Sequence, residues 1–307
     1  MSEFWNDNLI LKVVAGSKAY GLATTDSDTD KYGICIEPLD CLIGLNAFEQ
    51  KENHVHALLK KDEIHETIYG LRKFVRLAMQ CNPNIIEILF TPEKNILDIN
   101  QYGKLLRSKR DLFLSRQARN RFVGYAISQL ERIKRHKRWL DNPPSKPSQK
   151  DFVRNTSIQT HDGNRIQFRK FFENEYDKVL KEYNSYCEWR NNRNSERAEL
   201  ERKFGYDCKH AAHLVRLFEM GCEILRGEGV KVFREDRERL LNVRNGLYSY
   251  DEILVLTKSY EEELDKLEVT SPLPIAPNYN AINQLLMDIY KHFYHQDFKQ
   301  LPNIELE

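Results

Sequence analysis

Apolar positions in the first hundred residues come in short, unbroken runs. Over the rest of the chain they recur at helical spacing. The run Leu9-Ile10-Leu11-Lys12-Val13-Val14-Ala15 predicts a buried strand, and Tyr32-Gly33-Ile34-Cys35-Ile36 a second. Ile64-His65-Glu66-Thr67-Ile68-Tyr69 is β-branched and aromatic, which predicts a third. Leu71, Phe74, Val75 and Ala78 then fall on one face of a helix over 71–79 whose outer face is basic. Asn82-Pro83-Asn84 stops that helix, and Ile85–Phe90 is a short buried element ended by Thr91-Pro92. From about residue 105 the pattern is helical. A long helix is predicted over Arg116–Trp139, a solvated helix or helix pair over 173–203, and helices near 249–268 and 278–298. The segment from Asp207 to Arg226 is amphipathic, with His210, Leu214, Leu217, Phe218 and Gly221 along one face and Gly227 at its end. Residues 151–172 have no usable period, and the Pro-rich stretch at 141–147 reads as an exposed loop. Strands first and helices later indicate an α+β fold. The expected architecture is a small mixed β-sheet domain over residues 1–105 and a mostly helical domain over 106–307.

Composition narrows the function classes. The 307 residues carry a net charge of +1, so the sum alone gives no reason to expect a polyanion partner. No apolar run reaches 18 residues, so no membrane span is expected. The first residues have neither a basic nor an apolar signal region, and the six scattered cysteines form no Cys-x-x-Cys pair. A reduced, cytoplasmic protein is the expectation. The charge is unevenly spread, however. Residues 116–139 hold eight Lys or Arg against one acid, Glu131. Arg132, Lys134, Arg135, Lys137 and Arg138 are candidate contacts to nucleic-acid phosphates, with Trp139 and Tyr125 available to stack on bases. The plainer alternative is a solvated basic face balanced by the acids at 261–265.

The chemistry concentrates between the first two strands. Gly16-Ser17 leaves the first strand, and Ser27-Asp28-Thr29-Asp30 opens the second. A Gly-Ser turn before a short helix offers backbone N–H groups and a hydroxyl to nucleotide phosphates. Asp28 and Asp30, two apart in an extended segment, point to one side. Adjacent carboxylates repel unless a cation or a proton lies between them, and Mg²⁺ prefers carboxylate and phosphate oxygens together. Glu66 on the third strand is the preferred third acid, with Asp62 and Glu63 as competitors. Three carboxylates and a triphosphate can hold two Mg²⁺ ions about 3.5–4 Å apart, Mn²⁺ being an alternative. Lys209, His210, His213 and Arg216 lie within two turns of the helix from 207 and form a candidate phosphate-facing cluster, packed or capping histidines being the plainer reading on spacing alone. His54, His56 and His65 are set aside as a metal set, because only the first two share a strand face.

These residues resemble a known superfamily. Gly16-Ser17, then Asp28-Thr29-Asp30, then an acid on a later strand is similar to the DNA polymerase β-like nucleotidyltransferases. Gly16-Ser17-Lys18-Ala19-Tyr20-Gly21, Leu71-Arg72-Lys73-Phe74, the segment from Asn82 to Phe90, Gly205 to Leu217 and Val243-Arg244-Asn245-Gly246 resemble one branch of it. That branch comprises bacterial and phage nucleotidyltransferases, including RNA-repair (RNA ligase-associated) polymerases. The resemblance implies metal ligands at Asp28 and Asp30, with Glu66 as the third, and Gly16, Ser17, Lys209 and His210 on the nucleotide. It further implies Mg²⁺-dependent transfer of a nucleoside monophosphate from an NTP such as ATP to a hydroxyl, with release of pyrophosphate. The preferred acceptor is an RNA 3′ end, in tRNA or in broken RNA. The rival readings are the same chemistry on a protein or small molecule, and a non-catalytic, antitoxin-like interaction module.

Overall fold

The computed structural model describes residues 3–24, 27–55, 64–159, 161, 164–193, 195–235 and 237–298. It is an α+β fold. After a short helix α1 (Phe4–Asp7), strand β1 (Leu9–Val14) leads into α2 (Gly16–Tyr20) and then β2 (Thr29–Cys35). α3 (Leu39–Ile43), β3 (Gln50–Val55), β4 (Ile64–Gly70), α4 (Leu71–Met79) and α5 (Pro83–Phe90) follow. β5 (Ile96–Ile99) completes a five-stranded mixed sheet of order β3-β4-β2-β1-β5. β2 and β4 run parallel, and the other neighbours are antiparallel. Sequence patterning missed β3 and β5, which are edge strands with little burial to imprint a period. The buried element over 85–90 is helix α5. Asn82, read as a stop, also caps it by accepting from Asn84 N–H at 3.1 Å, with Pro83 at the first helical position.

The remainder is helical except for one ribbon. α6 (Gln101–Ser108), α7 (Gln117–Asp141), α8 (Glu173–Asn191), α9 (Ser195–Phe204), α10 (Cys208–Leu225), α11 (Arg237–Arg244), α12 (Tyr250–Thr270) and α13 (Tyr279–Phe298) match the helical periodicity closely. The unassigned stretch 151–172 holds a two-stranded antiparallel ribbon, β6 (Val153–Gln159) with β7 (Arg165–Phe171). Both faces of β7 are exposed, so no alternation of burial marked it.

α10 is the axis of the molecule. Its sequence reads as one-sided, yet every residue from Leu214 to Leu225 is buried, because α7, α9, α11 and α12 all pack on it. One hydrophobic core runs from Ile10 in β1 through Ile86 in α5, Phe122 in α7 and Phe218 in α10 to Ile289 in α13. The charges buried on α10 are all matched. Glu219 and Glu223 accept from Arg234 at 3.2 and 2.7 Å, and Glu219 also accepts from the Tyr260 hydroxyl at 2.9 Å. Arg216 pairs with Glu87 of α5. Buried charges of this kind persist only when paired.

Candidate active site

The site begins at the end of β1. Ala15 N–H donates to the Asp30 carbonyl at 2.9 Å, which pins the turn to β2. Gly16 then adopts φ +63°, and a Cβ built on it would lie 2.0 Å from Asp30 Oδ2. Only glycine satisfies both the left-handed backbone and this approach to the carboxylate. Ser17 follows in the first turn of α2. Lys18 bonds the Thr29 hydroxyl, drawing its side chain to the start of β2. Gly21 closes α2 in the left-handed conformation at φ +75°.

Strand register decides what surrounds Asp30. In the parallel β2–β4 pair Asp30 lies opposite His65, Lys31 opposite Glu66 and Tyr32 opposite Thr67. Alternation therefore puts Asp30, Tyr32, His65, Thr67 and Tyr69 on one face, with the Tyr32 and Tyr69 rings stacked at 6.3 Å. Lys31 and Glu66 face the other way. Glu66 is bound there by Lys12 Nζ at 2.5 Å and by the Asn53 amide at 3.4 Å. The expected third ligand is thus on the wrong face of the sheet. Its parity could not be known before its pairing partner was. Asp62 and Glu63 lie outside the described residues, as does His56.

Electrostatics agree with this placement. Burial raises the Asp30 carboxyl above its ordinary pKa, His65 opposes that, and Asp28 adds to it. Lys209 and Lys18 pull it back down. Asp28 itself is exposed, just ahead of β2. Two carboxylates therefore share this point with three basic side chains. For Glu66, burial raises the pKa, but the bond and charge of Lys12 outweigh it and the carboxyl is held below its usual range.

Of the two residues expected from α10, Lys209 is near enough to Asp30 for its charge to lower the Asp30 pKa. His210 is tied elsewhere. Its Nδ1 is 2.8 Å from Oδ2 of the buried Asp207, which also caps α10 by accepting from His210 N–H at 2.9 Å. Its ring meets that of His136 edge-on at 5.9 Å. Arg244 is also structural, donating to the Leu22 carbonyl at 2.7 Å behind α2.

Sequence reasoning missed the network under the turn. Tyr20, the last residue of α2, donates its hydroxyl to Glu87, and Arg216 donates to the other oxygen of the same carboxylate. The guanidinium lies 3.8 Å over the Tyr20 ring, and its Nη2 is 3.0 Å from His213 Nδ1. Burial first, then Arg216, His210, Arg132 and Lys209, depress the His213 pKa to about 3, so the ring is neutral and accepts at Nδ1. Its signals in the sequence were His213 and Arg216, grouped with Lys209 at the start of α10, and Glu87 within an otherwise apolar run.

A family model described as "RNA repair pathway DNA polymerase beta family" matches residues 2–288. The chain belongs to this family. Over 125 residues it is 28% identical to a protein of Enterobacteria phage T4 named "Uncharacterized 38.9 kDa protein in nrdC-mobD intergenic region". That match covers 39% of this chain and 37% of the phage protein's length. A solved structure titled nucleotidyltransferase-like protein, from Exiguobacterium sibiricum 255-15, aligns over 95% of this chain and 77% of its own. Its identity is 12% and its TM-score 0.28, too low to support an argument. No helix among the described residues is long and apolar enough to cross a membrane.

The basic run on α7 is divided by the fold. Lys134 pairs with Glu131 at 3.0 Å, Lys137 with Asp141 at 3.0 Å, and Arg138 with Glu182. Arg132 and Arg135 form no ion pair with a described residue, and both line a pocket with His136 and His210.

Proposed function

We propose that this protein transfers a nucleoside monophosphate from an NTP to a hydroxyl, preferably at an RNA 3′ end, and releases pyrophosphate. The observation that supports this best is the glycine backbone of the phosphate-type turn lying against the Asp30 carboxylate, with Lys18 and Lys209 converging on it. In this reading residues 1–105 form the catalytic domain, and residues 106–307 supply Lys209 and the acceptor side of the cleft.

The donor set suits a hard divalent cation. Asp28 and Asp30 offer carboxylate oxygens, and the Asp30 pKa, raised chiefly by burial with Asp28 adding to it, marks a carboxylate whose charge a cation would stabilise. Asp28 and Asp30 would hold Mg²⁺, which would neutralise the triphosphate and lower the pKa of the attacking hydroxyl. Everything else is positioning by the chain. The Gly16-Ser17 turn would bind the outer phosphates through N–H groups and the Ser17 hydroxyl. Lys18 and Lys209 would oppose the charge that develops on the departing pyrophosphate. The acceptor oxygen bonds to the α-phosphorus as the bond to the β-phosphate oxygen breaks, so no covalent enzyme intermediate is needed.

The test is incubation with Mg²⁺, each of the four labelled NTPs and total RNA. Label should pass to RNA, and Asp28→Asn or Asp30→Asn should abolish transfer while leaving the protein folded. Transfer that survives both substitutions would overturn the site, and transfer to protein instead would overturn the acceptor.

A further inference from the structure

The pocket that receives Arg132 and Arg135 lies beside the cleft, and the catalytic reading does not use it. It encloses about 390 Å³ between α7, the end of α8, Glu201 in the second half of α9 and the start of α10. That is within the size range of small-ligand sites, about 300–1,000 Å³. Arg132, Arg135, His136 and Trp139 recur at spacings of three, one and three residues on one face of α7. Trp189 stands opposite, braced by Trp139 at 5.4 Å and Tyr186 at 5.9 Å. Arg193 lies 4.3 Å over the Trp189 ring and binds the buried Glu201.

The charges in this pocket do not cancel. On its floor, Asp207 is met by His210 and Glu201 by Arg193. Both carboxylates are therefore matched, and the exposed guanidinium groups of Arg132 and Arg135 are left as surplus at the mouth. His136 is buried, and among the described residues its Nδ1 has no hydrogen-bond partner, the Asp207 carboxylate oxygen lying 3.9 Å away. A pocket with an aromatic wall and two guanidinium groups that form no ion pair with a described acid, that of Arg135 lying 5.4 Å over the Trp139 ring, fits a flat base joined to phosphate. It also adjoins the catalytic cleft. His210 lines it while its neighbour Lys209 acts on Asp30, and Arg132 is close enough to help depress the pKa of His213.

We propose that this pocket holds an unpaired nucleotide of the acceptor strand, with its base against Trp189 and its phosphates on Arg132 and Arg135. The pocket thereby guides a single-stranded RNA end towards Asp30. This assignment rests on the nucleotidyl-transfer reading for its purpose, but not for its test. The rest of the basic run is paired elsewhere, Lys134 and Lys137 within α7 and Arg138 with Glu182 of α8.

Binding of a fluorescein-labelled ten-nucleotide single-stranded RNA, followed by anisotropy across a salt series without NTP, tests the pocket directly. Arg132→Gln with Arg135→Gln should weaken binding tenfold or more. It should also reduce the slope of log K against log salt by about 1.4, for two phosphates at about 0.7 each. Lys134→Gln with Lys137→Gln removes the same charge from the same helix and should change binding less than threefold. Trp189→Leu should weaken binding fivefold or more. The same RNA in a duplex should bind at least tenfold more weakly, since a paired base cannot reach Trp189. Equal losses in the two double variants would overturn the pocket in favour of diffuse charge, and equal binding of the duplex would overturn the stacked base. Mg²⁺–ATP affinity, measured separately, should be unchanged in the arginine variant; its loss with RNA binding intact would assign the pocket to the triphosphate and overturn the proposal. Loss of NTP binding in Asp30→Asn concerns the catalytic site alone, so the two readings fail independently.

Discussion

Asp30 and Glu66 should respond oppositely to neutralisation, and that contrast tests the reading of the site most sharply. Both are partly buried carboxylates on adjacent strands, one register position apart. The folded protein disfavours charge at Asp30, through burial and Asp28, and favours it at Glu66, through Lys12 at 2.5 Å and Asn53 at 3.4 Å. Glu66→Gln replaces a charge-assisted pair that is only 16–25% exposed by a neutral one. The expected cost is about 1–2 kcal/mol, between a surface ion pair and a buried charged hydrogen bond. That corresponds to a Tm drop of about 1.5–3 °C in a chain of this size. Asp30→Asn removes a like-charge repulsion and should leave the stability of the metal-free protein unchanged or slightly raised. Affinity for Mn²⁺ should show the reverse pattern. Asp30→Asn removes one of two convergent carboxylates and several kcal/mol of charge stabilisation, about a hundredfold or more in affinity. Glu66→Gln acts from the opposite face and should change affinity less than twofold. Thermal melts in chelator-treated buffer and titration with Mn²⁺ give the two axes. A Glu66→Gln protein that keeps its Tm but loses Mn²⁺ would refute the face assignment, and with it the register argument.

Two further outcomes follow from the network beneath the turn. Arg216→Met alone strands the Glu87 carboxylate, which is only 4% exposed, and should cost about 3–5 kcal/mol in urea unfolding. Adding Glu87→Leu and Tyr20→Phe should restore most of that loss, and strictly additive losses would show that the three side chains are not coupled. His213, with its pKa depressed to about 3, stays neutral in the folded state while the unfolded chain protonates near pH 6.5. Its contribution to stability is therefore complete above about pH 6.5 and is lost as pH falls towards 3, at up to about 1.4 kcal/mol per pH unit. His213→Asn, which keeps an acceptor for Arg216, should flatten the urea midpoint over that window by one proton's worth, and an unchanged slope would contradict a neutral His213.

Local pattern was enough to establish β1, β2, β4, the main helices and the Gly16-Ser17 turn. Each of these depends on residues close in sequence: strand period, helix period and a glycine. The same logic located α7 and α10, which have strong apolar periodicity, whereas Lys209 as a nucleotide contact rested on the family resemblance. What local pattern could not supply was pairing. Glu66 and His65 differ by one residue, and only the β2–β4 register shows that His65, not Glu66, shares a face with Asp30. The β6–β7 ribbon left no trace in the hydrophobic pattern because the sheet it forms buries neither face. The basic run looked uniform in sequence. Folding committed Lys134, Lys137 and Arg138 to nearby acids and turned Arg132 and Arg135 to a pocket walled by Trp189, more than fifty residues away. The Arg216–Glu87–Tyr20 network is the same case, since three residues separated by up to 196 positions share one carboxylate. Chemistry that needs neighbours in sequence was legible from the start, whereas chemistry that depends on which face meets which waited for the tertiary structure, because a one-residue change of register reverses it.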